Sequence, residues 1–230
     1  MPENWKNDAG AAPTAIDWAN DVVTFDSNIG TNKNAVNDLG GGKQIGGLIV
    51  KDSYIGKITI NGTAGTIQTI AGSLEINGGT IQGQFADIRL VVQGTAGSFR
   101  WTGGAISRIR LILEEGVNGN IEGETVKKLD SDAQLINNGN LNWWDGAIAM
   151  SGGNENLIKN TGLFHIDSGL GIIRDGGSGD LKNLNSTNPN DPRRGKIEQT
   201  KFVSTTIEVP NNKFGRFLGV WYLNCAGERD

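Results

Sequence analysis

Gly-Ser-Phe-Arg-Trp-Thr-Gly-Gly-Ala-Ile, residues 97–106, decides the fold, because the chain carries the same phrase twice more. Residues 72–81 read Gly-Ser-Leu-Glu-Ile-Asn-Gly-Gly-Thr-Ile, and residues 139–148 read Gly-Asn-Leu-Asn-Trp-Trp-Asp-Gly-Ala-Ile, with no gap in any copy. The copies start 25 and 42 residues apart, and the longer interval accommodates two turns of about 21 residues. Self-similarity at such a period marks a stacked repeat architecture.

Within the phrase the alternation is period two, as a half-buried strand requires. Leu74 and Ile76, Phe99 and Trp101, and Leu141 and Trp143 take one parity and are assigned to the core, while Glu75, Arg100 and Asn142 take the other. Gly78-Gly79, Gly103-Gly104 and Asp145-Gly146 come next, residue types that tolerate the backbone angles of a corner. Ile81, Ile106 and Ile148 then return to the core on the next side. Strand, corner and strand, repeated, describe a coil. The fold expected is all-β: a parallel β-helix or β-solenoid, right-handed, forming one elongated domain of nine or ten coils. Ile76, Trp101 and Trp143 should lie in one internal column, with Leu74, Phe99 and Leu141 in another. The competing fold is a β-sandwich, which also has short strands between turns but has no need of an ungapped repeat.

Outward from the phrase, residues 1–44 read as a segment that caps the first coil, 45–173 as the coils, 174–195 as a protruding loop, and 196–230 as terminal coils and tail. Gly-Thr-Ala-Gly occurs at 62–65 and 94–97, and Asn137-Asn-Gly139 matches Asn160-Thr-Gly162. The second match places Leu141 over Phe164 and Trp143 over Ile166, and stacks Asn137 on Asn160 as an inward ladder.

The 230 residues include 35 glycines and carry a net charge of −4, which argues against a nucleic-acid partner. No stretch approaches the ~20 apolar residues of a membrane span. The lone Cys225 reads as a packed residue in an apolar tail. The opening Met-Pro-Glu-Asn-Trp lacks the basic and apolar regions of a signal peptide, and the chain is expected to be a segment of something longer.

Phe-Arg-Trp-Thr-Gly-Gly-Ala-Ile and Asn-Asn-Gly-Asn-Leu-Asn-Trp-Trp-Asp-Gly-Ala-Ile resemble tandem repeats of very long bacterial surface and secreted proteins, the β-helical stalks of autotransporter passengers and filamentous-haemagglutinin-type adhesins. Asn4-Trp5, Pro13 to Asp17 and Val22 to Phe25 are similar to a segment that often begins such arrays, and Gly195 to Pro210 to a late element of them. The resemblance implies a non-enzymatic stalk or adhesion segment at the cell surface or outside the cell. The implied partners are neighbouring repeats of a longer chain and a surface glycan or host matrix protein, with no cofactor.

The strongest enzymatic alternative is a polysaccharide lyase or glycoside hydrolase, which needs convergent carboxylates in a groove. The candidates are Glu114-Glu115, Asp130 and Asp132, and Asp167 with His165. An extended strand sends Glu114 and Glu115 to opposite faces, and Asp130 and Asp132 read as solvated turn acids. Asp175-Gly-Gly-Ser-Gly-Asp180 has a faint likeness to calcium-binding nonapeptides but occurs once, so no metal site is assigned. Thr59, Thr63, Thr66, Thr69 and Thr80 share no repeat position, which disfavours an ice-binding row. Alternation sends Trp143 inward and Trp144 outward, so Trp144 with Asp145 is the candidate glycan contact, the indole stacking on a sugar face.

Overall fold

In the computed structural model the chain is described over residues 17–27, 34–37, 42–153, 155–177, 179–183 and 196–198. The opening motif, the whole of 184–195, the apolar segment 214–223 and Cys225 lie outside the described residues.

The described residues wind into three parallel sheets around one apolar core, with no helix among them. Sheet A contains Val22–Phe25, Gly47–Val50, Ser73–Ile76, Ser98–Trp101, Asn118–Ile121, Asn140–Trp143, Leu163–Ile166 and Lys196–Glu198. Sheet B contains Asn34–Asn37, Lys57–Ile60, Thr80–Gly83, Ala105–Ser107, Lys127–Asp130, Ile148–Ser151 and Ile172–Asp175. Sheet C contains Gln44–Ile45, Ile67–Ile70, Arg89–Val92, Arg110–Leu113, Gln134–Asn137, Asn156–Asn160 and Gly179–Asn183. Each turn of chain visits A, B and C, so every strand pairs with its counterpart one turn away. The sandwich alternative fails on this pairing, since every named ladder is parallel and the antiparallel contact is an isolated bridge between Ser151 and Gly176.

The expected columns are present. Leu74 pairs with Phe99, Phe99 with Gly119, Gly119 with Leu141, and Leu141 with Phe164. One pleat along, Val50, Ile76, Trp101, Ile121, Trp143 and Ile166 stack in order, all fully buried apart from a slightly exposed Ile166. The long interval between copies is therefore two turns, and Gly119 and Ile121 belong to the one that has lost the phrase. Phe99, Leu113 and Leu141 crowd Gly119: a Cβ there would lie 2.8 Å from Leu141 Cδ1 and 3.2 Å from Leu113 Cδ1 and Phe99 Cδ1. Trp143 and Phe164 stack with ring centroids 6.3 Å apart.

Three details of the winding go beyond the phrase itself. The described residues form sheets of eight, seven and seven strands, whereas nine or ten coils is the expectation for the whole chain length. Ile81, Ile106 and Ile148 all return to the core on sheet B as expected, but Ile148 stands outside the column of the other two; it pairs with Lys127, and Met150 continues the column over Leu129. The A-to-B corner after Trp143 is two residues longer than that after Trp101, which shifts the register of the next sheet B strand. The two Gly-Thr-Ala-Gly phrases are not equivalent either: 62–65 turns from B to C, and 94–97 from C to A.

Coil stacking also extends past 45–173. Val22–Phe25 lies in register on Gly47–Val50, and Gly179–Asn183 on Asn156–Asn160. The leading segment thus supplies the first strand of each sheet, and part of the 174–195 stretch is strand. At the A-to-B corner Gly79, Gly104 and Gly146 have φ of 56°, 76° and 72°. That left-handed region penalises a Cβ, and at Gly104 a Cβ would also meet Gly78 O at 2.5 Å and Gly79 O at 2.6 Å.

Candidate functional site

The outward face of sheet A is asparagine-rich over the strands Asn118–Ile121 and Asn140–Trp143. Asn140 Nδ2 donates to Asn118 Oδ1, and Asn142 Nδ2 to Asn120 Oδ1, each at 3.2 Å. Trp144 leaves the strand at the border with the A-to-B corner. Its indole is 38% exposed, and its Nε1 donates to the same Asn120 Oδ1 at 3.2 Å. The ring tilts at 49° against the His165 imidazole, centroids 5.4 Å apart. His165 Nε2 lies 3.2 Å from Asp167 Oδ1, and the Asp167 side chain is almost fully buried. Register explains the cluster, because His165 pairs with Asn142 one turn away. Trp144 is thus an indole face held at both ends, suited to stacking on a flat, weakly polar ring.

Asp145, the other candidate, is half-buried and structural in its contacts: Oδ1 accepts from Gly146 N at 2.7 Å, and the main-chain carbonyl accepts from Trp143 Nε1 at 3.1 Å.

The corner beneath holds a residue that the phrase does not reveal. Lys127 is fully buried and donates from Nζ to the carbonyls of Gly123 and Asp145, the latter at 3.3 Å. Burial lowers its pKa to about 8, against the opposing pull of Asp145 and Glu122. Its parity with buried Leu129 was the available signal, since alternation puts both inward. Trp143 Nε1 donates to Gly146 O at 2.7 Å, and Ser168 Oγ donates to the same oxygen at 3.3 Å. Ammonium, indole and hydroxyl together satisfy the carbonyls of a tight buried turn.

The enzymatic candidates do not converge. Glu114 and Glu115 lie in the C-to-A turn rather than in a strand, and Glu114 O accepts from Val117 N. Asp130 Oδ2 accepts from Ser107 Oγ at 3.1 Å, whereas Asp132, at φ 66°, accepts from Glu155 N at 2.9 Å. The left-handed backbone at Ser131 and Asp132 breaks the shared face that an extended Asp130-Ser-Asp132 would have. His165 and Asp167 do meet. Asp175 pairs with Lys128 Nζ at 2.8 Å and accepts from Ser151 Oγ, and the Lys128 contact holds its carboxyl below the usual range. Asp180 pairs with Lys182, so the two ends of the calcium-like stretch point to different partners. Thr59 and Thr80 lie on sheet B and Thr69 on sheet C, so the threonines form no single row.

The asparagine ladder is present and longer than expected. Asn137 Nδ2 donates to Asn160 Oδ1 at 2.7 Å, and Asn160 Nδ2 to Asn183 Oδ1 at 2.8 Å.

Fold and site together define a parallel β-solenoid repeat protein with an exposed tryptophan at one corner. Comparison finds no matching protein family, curated protein or solved structure.

Proposed function

We propose that the chain is a non-enzymatic structural stalk or adhesion segment of a larger extracellular bacterial protein, displaying a weak glycan contact at Trp144. The observation that carries this reading is the continuity of the three ladders. Inward side chains, most of them aliphatic or aromatic, stack over each other from winding to winding, and the corner carboxylates serve turn amides and neighbouring side chains. Such a body resists bending because each winding is bonded to its neighbours along three sheets at about 4.8 Å spacing. The likeness of its phrases to adhesin-stalk repeats supports the same reading, and supplies the expectation of a cell-surface or secreted setting.

A glycan array probed with the wild-type chain and with Trp144→Ala tests the contact. Binding that Trp144→Ala loses, with no cleavage of the bound glycan, is the expected result. Chain shortening of a polysaccharide, lost in Asp167→Asn, would place the protein among carbohydrate-active enzymes instead.

A further inference from the structure

The outward face of sheet C differs from the other two. Register places Arg89 directly against Arg110, and Val91, Ile112 and Ile136 in the parallel row beside them. Further along are Lys159 and Lys182, and Asp180 is the acid among these outward positions. Lys182 pairs with Asp180, but Arg89, Arg110 and Lys159 form no ion pair among the described residues. Arg110 Nε is buried and has no hydrogen-bond partner there. Like charges directly opposite in a ladder destabilise it. Asp87, Asp132 and Glu155 border this face at one corner and Glu114 and Glu115 at the other.

The complementary surface is on the same molecule, on the A-to-B ridge across the core. Glu124 is exposed and Asp145 half-buried there, with exposed Val126 and Leu170 beside them on successive windings. The ridge's exposed cation, Lys51, is paired with Asp26.

We propose that the sheet C face docks the A-to-B ridge of a second copy of this chain, side by side with parallel axes. Both surfaces repeat with the same rise per winding, so contacts recur in phase. A shift of two windings, about 10 Å, sets Glu124 against Arg89 and Asp145 against Arg110, and Leu170 against Ile136. The half-buried Ile112 and Ile136, beside the buried Val91, favour this occupant over a simple polyanion, which would use the arginines and leave the two isoleucines without a partner. Ridge and face are different surfaces, so the contact is heterologous and does not close at a dimer.

Sedimentation velocity over a concentration series tests it with two charge-reversed variants, Arg89→Glu/Arg110→Glu on the face and Glu124→Lys/Val126→Lys on the ridge. Arg89→Glu/Lys159→Glu replaces the first if burial of Arg110 makes that variant unfold. The wild-type chain should associate progressively at low salt and dissociate as salt rises. Each variant alone should weaken association by about tenfold or more, and an equimolar mixture of the two should regain it, since the acidic face then meets a basic ridge. A wild-type chain that stays monomeric, or a mixture that fails to associate, overturns the proposal. So does a hexagalacturonate oligosaccharide that binds the monomer through the arginines. Trp144 and Asp145 are unchanged in every variant and the association series contains no glycan, so its outcome does not depend on glycan binding.

Discussion

Asn137 and Asn160, one winding apart, share a buried side-chain hydrogen bond of 2.7 Å in a column that is aliphatic earlier in the chain. Val92 and Leu113 occupy the same inward position in the preceding windings. The change of chemistry has a local cause. Asn137 Oδ1 accepts from Gly139 N, and Asn137 Nδ2 also donates to Leu163 O, so the amide serves turn groups that a leucine would leave unpaired.

Asn160→Leu is therefore expected to cost about 2–4 kcal/mol, since it strips a partner from Asn137, from Asn183 and from Gly162 O at once. Urea unfolding measures the loss. A cost below about 0.5 kcal/mol would show that water replaces the ladder without penalty.

The two core tryptophans should respond differently to loss of the indole nitrogen. Trp143 Nε1 donates to Asp145 O and Gly146 O, whereas Trp101 Nε1 is buried without a partner. Trp101→Phe should be the milder change, by about 1–2 kcal/mol, read from paired urea midpoints. Equal costs would mean that ring volume alone decides both sites.

Lys127 carries the main pH prediction. Its folded pKa of about 8 lies below the ordinary 10.5, so the unfolded chain binds the proton more readily between those values. Its penalty is present in full below pH 8 and fades as pH rises towards 10.5. Stability should therefore climb through this window, by up to about 3 kcal/mol from this group, in urea titrations at successive pH values. Lys127→Met should flatten the climb; a slope unchanged in Lys127→Met assigns it elsewhere.

Two glycines separate conformational strain from crowding. Gly104→Ala meets main-chain oxygens at a φ of 76°, neither of which can yield. Gly119→Ala meets only the ends of Leu141, Leu113 and Phe99. We expect about 1–3 kcal/mol for Gly119→Ala, partly recovered by Leu141→Val, and a larger loss for Gly104→Ala that no side-chain trimming restores. Thermal melts of Gly104→Ala, Gly119→Ala and Gly119→Ala/Leu141→Val decide the order.

The winding was determined by the sequence alone. Period-two alternation within an ungapped phrase names the inward residues, and matching positions in successive copies stack Ile76 with Trp101 and, two turns on, Trp143. The pairing of Asn142 with His165 and of Asn137 with Asn160 was legible for the same reason, since a ladder propagates register locally from strand to strand. Corners obey no such rule. Two extra residues after Trp143 move Ile148 out of the Ile106 column, and Ser131 and Asp132 turn left-handed where an extended reading aligns two carboxylates. Only the tertiary structure decided that Lys127 would be enclosed by corner carbonyls, that Trp144 would lean on His165, and that Arg89 and Arg110 would stack without an acid between them. The contacts of Lys127 with Asp145 and of Trp144 with His165 join residues of successive windings, across corners whose lengths vary, and no pattern within one winding encodes them.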